Sequence, residues 1–379
     1  MNILHINIDY FGSNPVHRTM MKEFVKNKKN GDSYHVFVPL DKKRKIVNAD
    51  QFVTPVRCFT KLDKILYIRK QNRILNALKK SIELKQFDCI HAFTLFTDGN
   101  VAYRIHKETG IPYIVAVRDT DLNVFLKYKP YLRKRARKIL ANASAVLFLS
   151  KPYKEKLRKK LYPIGSDPIE KKTFIIPNGI DEYWLKNTAV PPKSIDSSKP
   201  LKLIFVGKIN KRKNVTSAID ATNILSRSRQ VKLTVIGNVE EQNIYEEITR
   251  NKCVEYCGSK SKEQLINYYR KHDIFVMPSH TETFGVVYAE AMTQGLPVVY
   301  TKGQGFDQQF DEGVVGYHVS DTNPNDIADA IIKIINDYER ISKNCIANSK
   351  KFDWSAICAE YNKLYRRLAK SKQNTSGQN

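Results

Sequence analysis

Short, largely apolar runs recur along this chain, most closing on a glycine or polar turn that leads into a segment of helical spacing. Residues 2–8, 34–38, 87–92, 113–117 and 145–149 form one series, and residues 201–206, 231–236, 254–258, 273–277 and 298–299 form another. A run of this length without alternation reads as a strand buried on both faces, which needs a parallel sheet covered by helices on each side. Between the series lie residues 186–200, with three prolines and several serines, the composition of a linker. The expected fold is therefore α/β, with two doubly wound Rossmann-like domains facing across a cleft, residues 1–185 and 201–353. At 379 residues the chain is long enough to give each domain a full core. Trp354, Ile357, Tyr361, Leu364 and Leu368 share one face of a last helix over 354–369, and the polar residues 370–379 read as a disordered tail.

Ligands of open α/β sheets gather beyond the carboxyl ends of the strands, so the turns there are the first places to look for chemistry. The run 273–277 ends at Pro278 and delivers a polar loop with Glu282 and Thr283, then Phe284, Gly285 and Val286, where a helix is expected to begin and run to about Gln294. The first turn of a helix has unpartnered N–H groups and a partial positive charge, suited to a phosphate or sugar oxygen, and Gly285 lets a ligand come close to the backbone. Glu290 is expected about two turns inside this helix, where it can accept hydrogen bonds from a diol; Glu282 sits on the loop. On spacing alone the two carboxylates also fit a helix cap and a solvated helical residue. Lys208 and Lys213 follow the strand and glycine Val206-Gly207, an arrangement able to hold a diphosphate, and Gly237 closes the next strand in the same way.

In the first half, Gly12 lies in a loop after the first strand, His91 ends the third, and Arg118, Asp119 and Asp121 follow the fourth. Arg118 stays charged and can pair bidentately with an anionic group, or it orders one of the two aspartates. Asp119-Thr120-Asp121 matches a short metal-holding pattern, but so brief a match is frequent by chance and no metal is expected. His91 is a reserve candidate for a polar contact.

The string from Asp273 through Pro278, Glu282-Thr-Phe-Gly285, Glu290-Ala-Met292 and Gly295-Leu-Pro297-Val-Val299 resembles the signature of the group-1 (GT4-like) retaining glycosyltransferases, which have a GT-B fold. The resemblance implies that Glu282 lies by the donor sugar, that Glu290 binds the nucleotide ribose, and that donor and acceptor occupy the second and first domains respectively. Phe174 to Asp181, with Asn178, is similar to the family's last first-domain strand and its turn into the cleft, and the last helix is expected to return to the first domain. Three departures stand out. Relatives commonly have histidine where this chain has Arg118, and a Gly-Gly pair where it has Gly12-Ser13-Asn14; Lys208 also replaces a usual arginine, keeping the charge but losing the fork. The expected activity is transfer of a sugar from a nucleotide diphosphate sugar to a hydroxyl, with retention and without a metal or other cofactor, on a glycan or lipid-linked acceptor in cell-surface polysaccharide synthesis.

Formal net charge is +26, and residues 1–190 hold 37 Lys+Arg against 17 Asp+Glu, leaving 27 against 21 for the remainder. A basic first half fits an anionic membrane surface; it also fits coding bias and solvated faces. Residues 61–82 form a basic amphipathic segment whose apolar face is expected to pack on the first sheet, with insertion into a membrane interface as the alternative. No apolar run approaches the roughly 20 residues of a spanning helix, and the first residues read as a strand rather than a leader, so the expected location is the cytoplasm, in peripheral contact with the inner face of the plasma membrane. The six cysteines lack a paired CxxC pattern and read as free thiols. The rival readings are a noncatalytic basic protein that binds membrane or nucleic acid, which leaves the Glu282 to Glu290 string without purpose, and a same-fold sugar-nucleotide epimerase or hydrolase. No nucleic-acid partner is expected.

Overall fold

The computed structural model describes the chain apart from residues 13–14, 47–48, 164, 166, 190–191, 197 and 377–379, and gives the backbone only for 64 and 371–376. It divides into two compact units: Met1–Leu149 with Lys154–Pro177 and the segment from Trp354 onward, and Ser150–Tyr153 with Asn178–Asp353. The chain therefore passes into the second unit at Asn178, ahead of the boundary expected at 185, and the proline-bearing stretch 186–200 belongs to that unit.

The first unit holds seven parallel strands, β1 (Asn2–Ile6), β2 (Ser33–Asp41), β3 (Val53–Phe59), β4 (Cys89–Ala92), β5 (Tyr113–Ala116), β6 (Ala145–Phe148) and β7 (Thr173–Ile175), in the order β3-β2-β1-β4-β5-β6-β7. The second holds six, β8 (Leu201–Val206), β9 (Val231–Ile236), β10 (Val254–Tyr256), β11 (Ile274–Met277), β12 (Val298–Thr301) and β13 (Gly316–Val319), in the order β10-β9-β8-β11-β12-β13. Both are doubly wound sheets. Strand order reverses between β1 and β4 in one and between β8 and β11 in the other, which places the binding crevice of each sheet beyond the carboxyl ends of those pairs.

The apolar runs map closely onto strands because a strand buried on both faces leaves no place for a polar side chain: β4, β5, β6, β11 and β12 are buried at every position. Strand β3 has no such signature, since Pro55 and Arg57 interrupt it. It lies at the sheet edge, where a residue without an N–H costs no ladder bond.

The last helix, Trp354–Ser376, extends past the expected end at 369 into the stretch read as a disordered tail; residues 377–379 lie outside the described residues. Its Trp354, Ile357, Tyr361, Tyr365 and Leu368 join Ile3, Phe24, Tyr34 and Cys89 in one core. Residues 121–132 form short helical turns broken before Pro130, and the longer helix that follows is Arg133–Asn142. The loop 303–310 is packed, with Phe306, Asp307 and Gln309 all buried. All six cysteines are free.

Candidate functional site

In the second unit, the turns after β8 and β11 meet at the reversal of strand order. The ammonium of Lys213 bonds a carboxylate oxygen of Glu282, and both side chains are nearly buried, at 12% and 9% exposure. The Lys213 amine also lies 3.8 Å from the sulfur of Met277, the last residue of β11. Each partner is held from its own side. Asn210 accepts the Lys213 backbone N–H through its side chain at 3.0 Å. The loop carrying Glu282 is pinned by its backbone: Glu282 N–H donates to Gln304 Oε1 (3.2 Å), and Glu282 O accepts from Gly305 N (2.8 Å) and the Tyr153 hydroxyl (3.1 Å). Arg212 donates to Thr281 O at 3.0 Å, while His280 N–H donates back to Arg212 O at 3.0 Å.

Asn214 ties the two turns together. It sits in the left-handed region (φ 57°), and its amide donates to Pro278 O (2.8 Å) and to Asp321 O (2.7 Å). Sequence reasoning missed it, because an asparagine after a lysine run carries no signal until the β11 turn is beside it.

Glu282 is not a helix cap. The N-cap is Gly285, left-handed at φ 78°, and among the described residues no side chain caps the helix Val286–Thr293, which starts beside Glu282. A Cβ at Gly285 would lie 2.5 Å from the Tyr288 ring and 3.1 Å from Glu282 Cγ, so conformation and space both require glycine. Thr283 and Val286 are half-buried at this helix start, whereas Phe284 is a core side chain, 5.6 Å from Phe352 and 6.2 Å from Phe306 between ring centroids. The side chain of Phe284 is thus not available to a ligand.

Gly237 serves packing. At φ 150°, its Cβ position would be 1.8 Å from the Gly207 carbonyl oxygen, so the turns after β8 and β9 touch backbone to backbone. Lys208 leaves the same turn to pair with Glu240 at 2.6 Å, and Asn210 reaches the other oxygen of Glu240 at 2.6 Å. The two lysines therefore have different partners: Lys213 is on Glu282, and Lys208 is on an exposed carboxylate.

The helix starts at Val286, within the expected stretch, which puts Glu290 just over one turn in rather than the two expected. It is half-buried, and its carboxyl is pushed up to about 7 by burial, then by Asp181, against opposing pulls from Trp184 and Lys262.

The first unit gathers a second polar group beyond β1, β4 and β5. Asp121 is fully buried and accepts three backbone N–H groups, from Arg118 (2.9 Å), Leu95 (3.0 Å) and Phe96 (3.2 Å). Burial nevertheless pushes it up to about 6. Its oxygens are occupied in joining the β4 and β5 turns, so the expectation that Asp121 faces an acceptor is corrected. Asp119 accepts from Asn123 at 2.6 Å. Arg118 is buried, donates from Nε to Phe93 O at 3.2 Å, and has its basicity lowered by burial. His91 is a core residue: its Nδ1 is 2.6 Å from the Tyr365 hydroxyl and its ring stacks on Phe93 and Tyr361, with burial holding it neutral. That corrects its reserve role. Asn178 is buried at the start of the second unit, close in sequence to Ile180, whose N–H donates to Phe352 O.

Sequence reasoning also missed Asp9, Asp98 and Lys70. Burial raises both carboxyls, and among the described residues one oxygen of the fully buried Asp98 has no hydrogen-bond partner. Asp9, Gly12, Arg44, Lys70, Thr94 and Thr120 line a cavity of about 310 Å³ at this end of the sheet. Gly12 is exposed on its rim; Ser13 and Asn14 lie outside the described residues.

Comparison with known proteins matches residues 188–352 to the family of glycosyl transferases group 1 and residues 19–183 to glycosyltransferase family 4. An uncharacterized glycosyltransferase of Methanocaldococcus jannaschii is 27% identical over 296 residues, covering 77% of this chain and 78% of that protein. Among solved structures, sucrose-phosphate synthase from Thermosynechococcus elongatus has a TM-score of 0.75 at 19% identity, covering 98% of this chain and 100% of that one. An Anabaena protein in complex with UDP-glucose has a TM-score of 0.65 at 18% identity, covering 99% and 100%. These likenesses establish the GT-B fold.

Proposed function

Because this chain belongs to the group 1 glycosyltransferase family, we propose that it moves a sugar from a nucleotide diphosphate sugar to an acceptor hydroxyl, with retention at the anomeric carbon and no metal. The observation that carries this reading is the Lys213–Glu282 pair beside the uncapped helix start at Gly285. A diphosphate seated there meets one ammonium and the uncapped helix start, which stabilise the charge that grows on the β-phosphate as the sugar leaves. An arriving phosphate competes with Glu282 for the Lys213 ammonium and so frees the carboxylate to accept hydrogen bonds from the sugar. In the transfer itself, the bond from the anomeric carbon to the β-phosphate oxygen breaks and a bond to the acceptor oxygen forms on the same face. The acceptor proton passes to the departing phosphate. Glu290 takes the ribose diol, and Lys208 supplies outer positive charge once drawn from Glu240.

A nucleotide sugar as donor is further supported by the Anabaena structure, which holds UDP-glucose in a similar fold. We assign the acceptor, a glycan or lipid-linked chain of cell-surface synthesis, to the cavity edged by Asp9, Lys70 and Thr94, with Arg118 behind it shaping the field rather than shuttling a proton. The reaction then takes place at the inner face of the plasma membrane.

A donor and acceptor screen read by mass spectrometry identifies the pair of substrates. With that pair, Glu282→Gln and Lys213→Ala are each expected to lower kcat by at least about 10²-fold with nearly unchanged far-UV circular dichroism, and chelator is expected to leave turnover intact. Near-normal turnover in either variant removes this site from the chemistry. Product formed without any acceptor assigns hydrolysis or epimerisation instead.

A further inference from the structure

The apolar positions of residues 61–82 do not all face the sheet. The helix begins only at Tyr67, after a 3₁₀ turn at Leu62–Lys64, and its buried face is Tyr67, Ile74, Leu75 and Leu78. Leu62, Ile65, Leu66 and Ile68 point to solvent, Ile65 at 74% exposure. Val124, Tyr128 and Tyr131 do the same, so seven of the nine large exposed apolar side chains among the described residues fall in these two segments. The segments adjoin: Tyr131 lines a shallow cavity of about 580 Å³ with Ile65, Leu66 and Ile68, and the Tyr67 ring meets Phe125 edge-on at 6.3 Å.

This exposure is held in place. Asp63 is fully buried, accepts the Thr60 N–H at 2.7 Å and the Thr60 hydroxyl at 2.8 Å, and pairs with Arg73 and, at 3.1 Å, with Arg69. A buried carboxylate with three hydrogen-bond donors and a second guanidinium beside it fixes the turn, so Leu62, Ile65 and Leu66 are presented outward rather than left to fold in. Apolar patches of this kind mark interaction surfaces.

We propose that this surface, centred on Leu62, Ile65, Leu66, Ile68, Tyr128 and Tyr131, seats on an anionic lipid bilayer. The apolar side chains enter the headgroup region while surrounding cations meet lipid phosphates. Charge complementarity selects this occupant. There is no Asp or Glu in residues 64–82 or 122–154, and Lys61, Lys127, Arg133 and Lys134 are exposed. A second copy of a chain with net charge +26 brings the same positive charge to the contact. A bilayer requires no matched shape, only apolar side chains standing out from a cationic surround, with tyrosines suited to the interface. The inference stands independently of sugar transfer, although a lipid-linked acceptor would give it a use.

The test is co-sedimentation of the full chain with vesicles of phosphatidylglycerol and phosphatidylcholine in equal parts, or of phosphatidylcholine alone, at about 0.1 M salt. Binding to the anionic vesicles is expected to be tighter by about tenfold or more. Ile65→Ser/Leu66→Ser/Ile68→Ser is expected to lose vesicle binding, and Arg133→Glu/Lys134→Glu to lose the anionic preference. Both variants should keep the wild-type melting temperature and nucleotide-induced thermal shift. Equal binding to both vesicle types, binding to neither, or full affinity in the triple serine variant overturns the proposal. So does a concentration-dependent dimer, seen by ultracentrifugation and abolished by the serine variant, that binds no vesicles.

Discussion

Glu290 holds its proton in a range where carboxyls are normally ionised. Folding raises it from 4.5 to about 7, so the group favours the folded state most below the ordinary carboxylate range, and that contribution is lost as pH rises through 7. A ribose diol donates hydrogen bonds and favours the ionised form, reversing the preference. Nucleoside diphosphate affinity is therefore expected to rise with pH, by up to about tenfold per unit below 7, and to level off above it. Calorimetric titration from pH 5.5 to 8 measures this; Glu290→Gln should remove that slope, and an unchanged slope would place the diol elsewhere. Residues whose role follows from the turn they occupy, such as Lys213 after Gly207 and Glu282 after Pro278, were legible in the sequence. Asp9, Asp98 and Asn214 were not. Their significance arises from what the tertiary structure sets beside them, a buried neighbouring carboxyl or a carbonyl from a distant turn.

At the scale of elements, Asp121 joins two turns of the first sheet through three backbone amides. Asp121→Ala leaves those buried donors without a partner, at about 1–3 kcal/mol each where water does not replace it. A loss of at least about 3 kcal/mol is expected from denaturant midpoints, and a near-neutral variant would show that water takes over. Strands buried on both faces, such as β6 and β11, were legible because nothing polar interrupts them. Strand β3 was hidden by Pro55 and Arg57, which only an edge position tolerates. The 61–82 segment misled for a different reason. Leu62, Ile65 and Leu66 keep helical spacing with the buried Ile74 and Leu78, but Asp63 takes the interior place in that turn because Thr60, Arg69 and Arg73 satisfy it.

At the scale of the molecule, two separately closed sheets make a single two-state unfolding transition an unsafe assumption. Scanning calorimetry is expected to resolve two transitions, and nucleoside diphosphate at 100 times its Kd should stabilise one of them, that of the unit holding Glu282 and Lys213, by about 2.7 kcal/mol. A shift confined to the other transition would move the donor to the first sheet. The last helix adds a constraint in time. Tyr361 and Tyr365, which cover His91 and Phe24, lie beyond residue 353, after the whole of the second unit. During synthesis at about 5–20 residues per second, the first sheet to leave the ribosome waits on the order of 10–35 s for its final cover, while the later-made sheet already has all of its strands. Birth order and completion order are thus reversed, and a nascent chain stalled before Trp354 offers a bare aromatic face to any chaperone within reach.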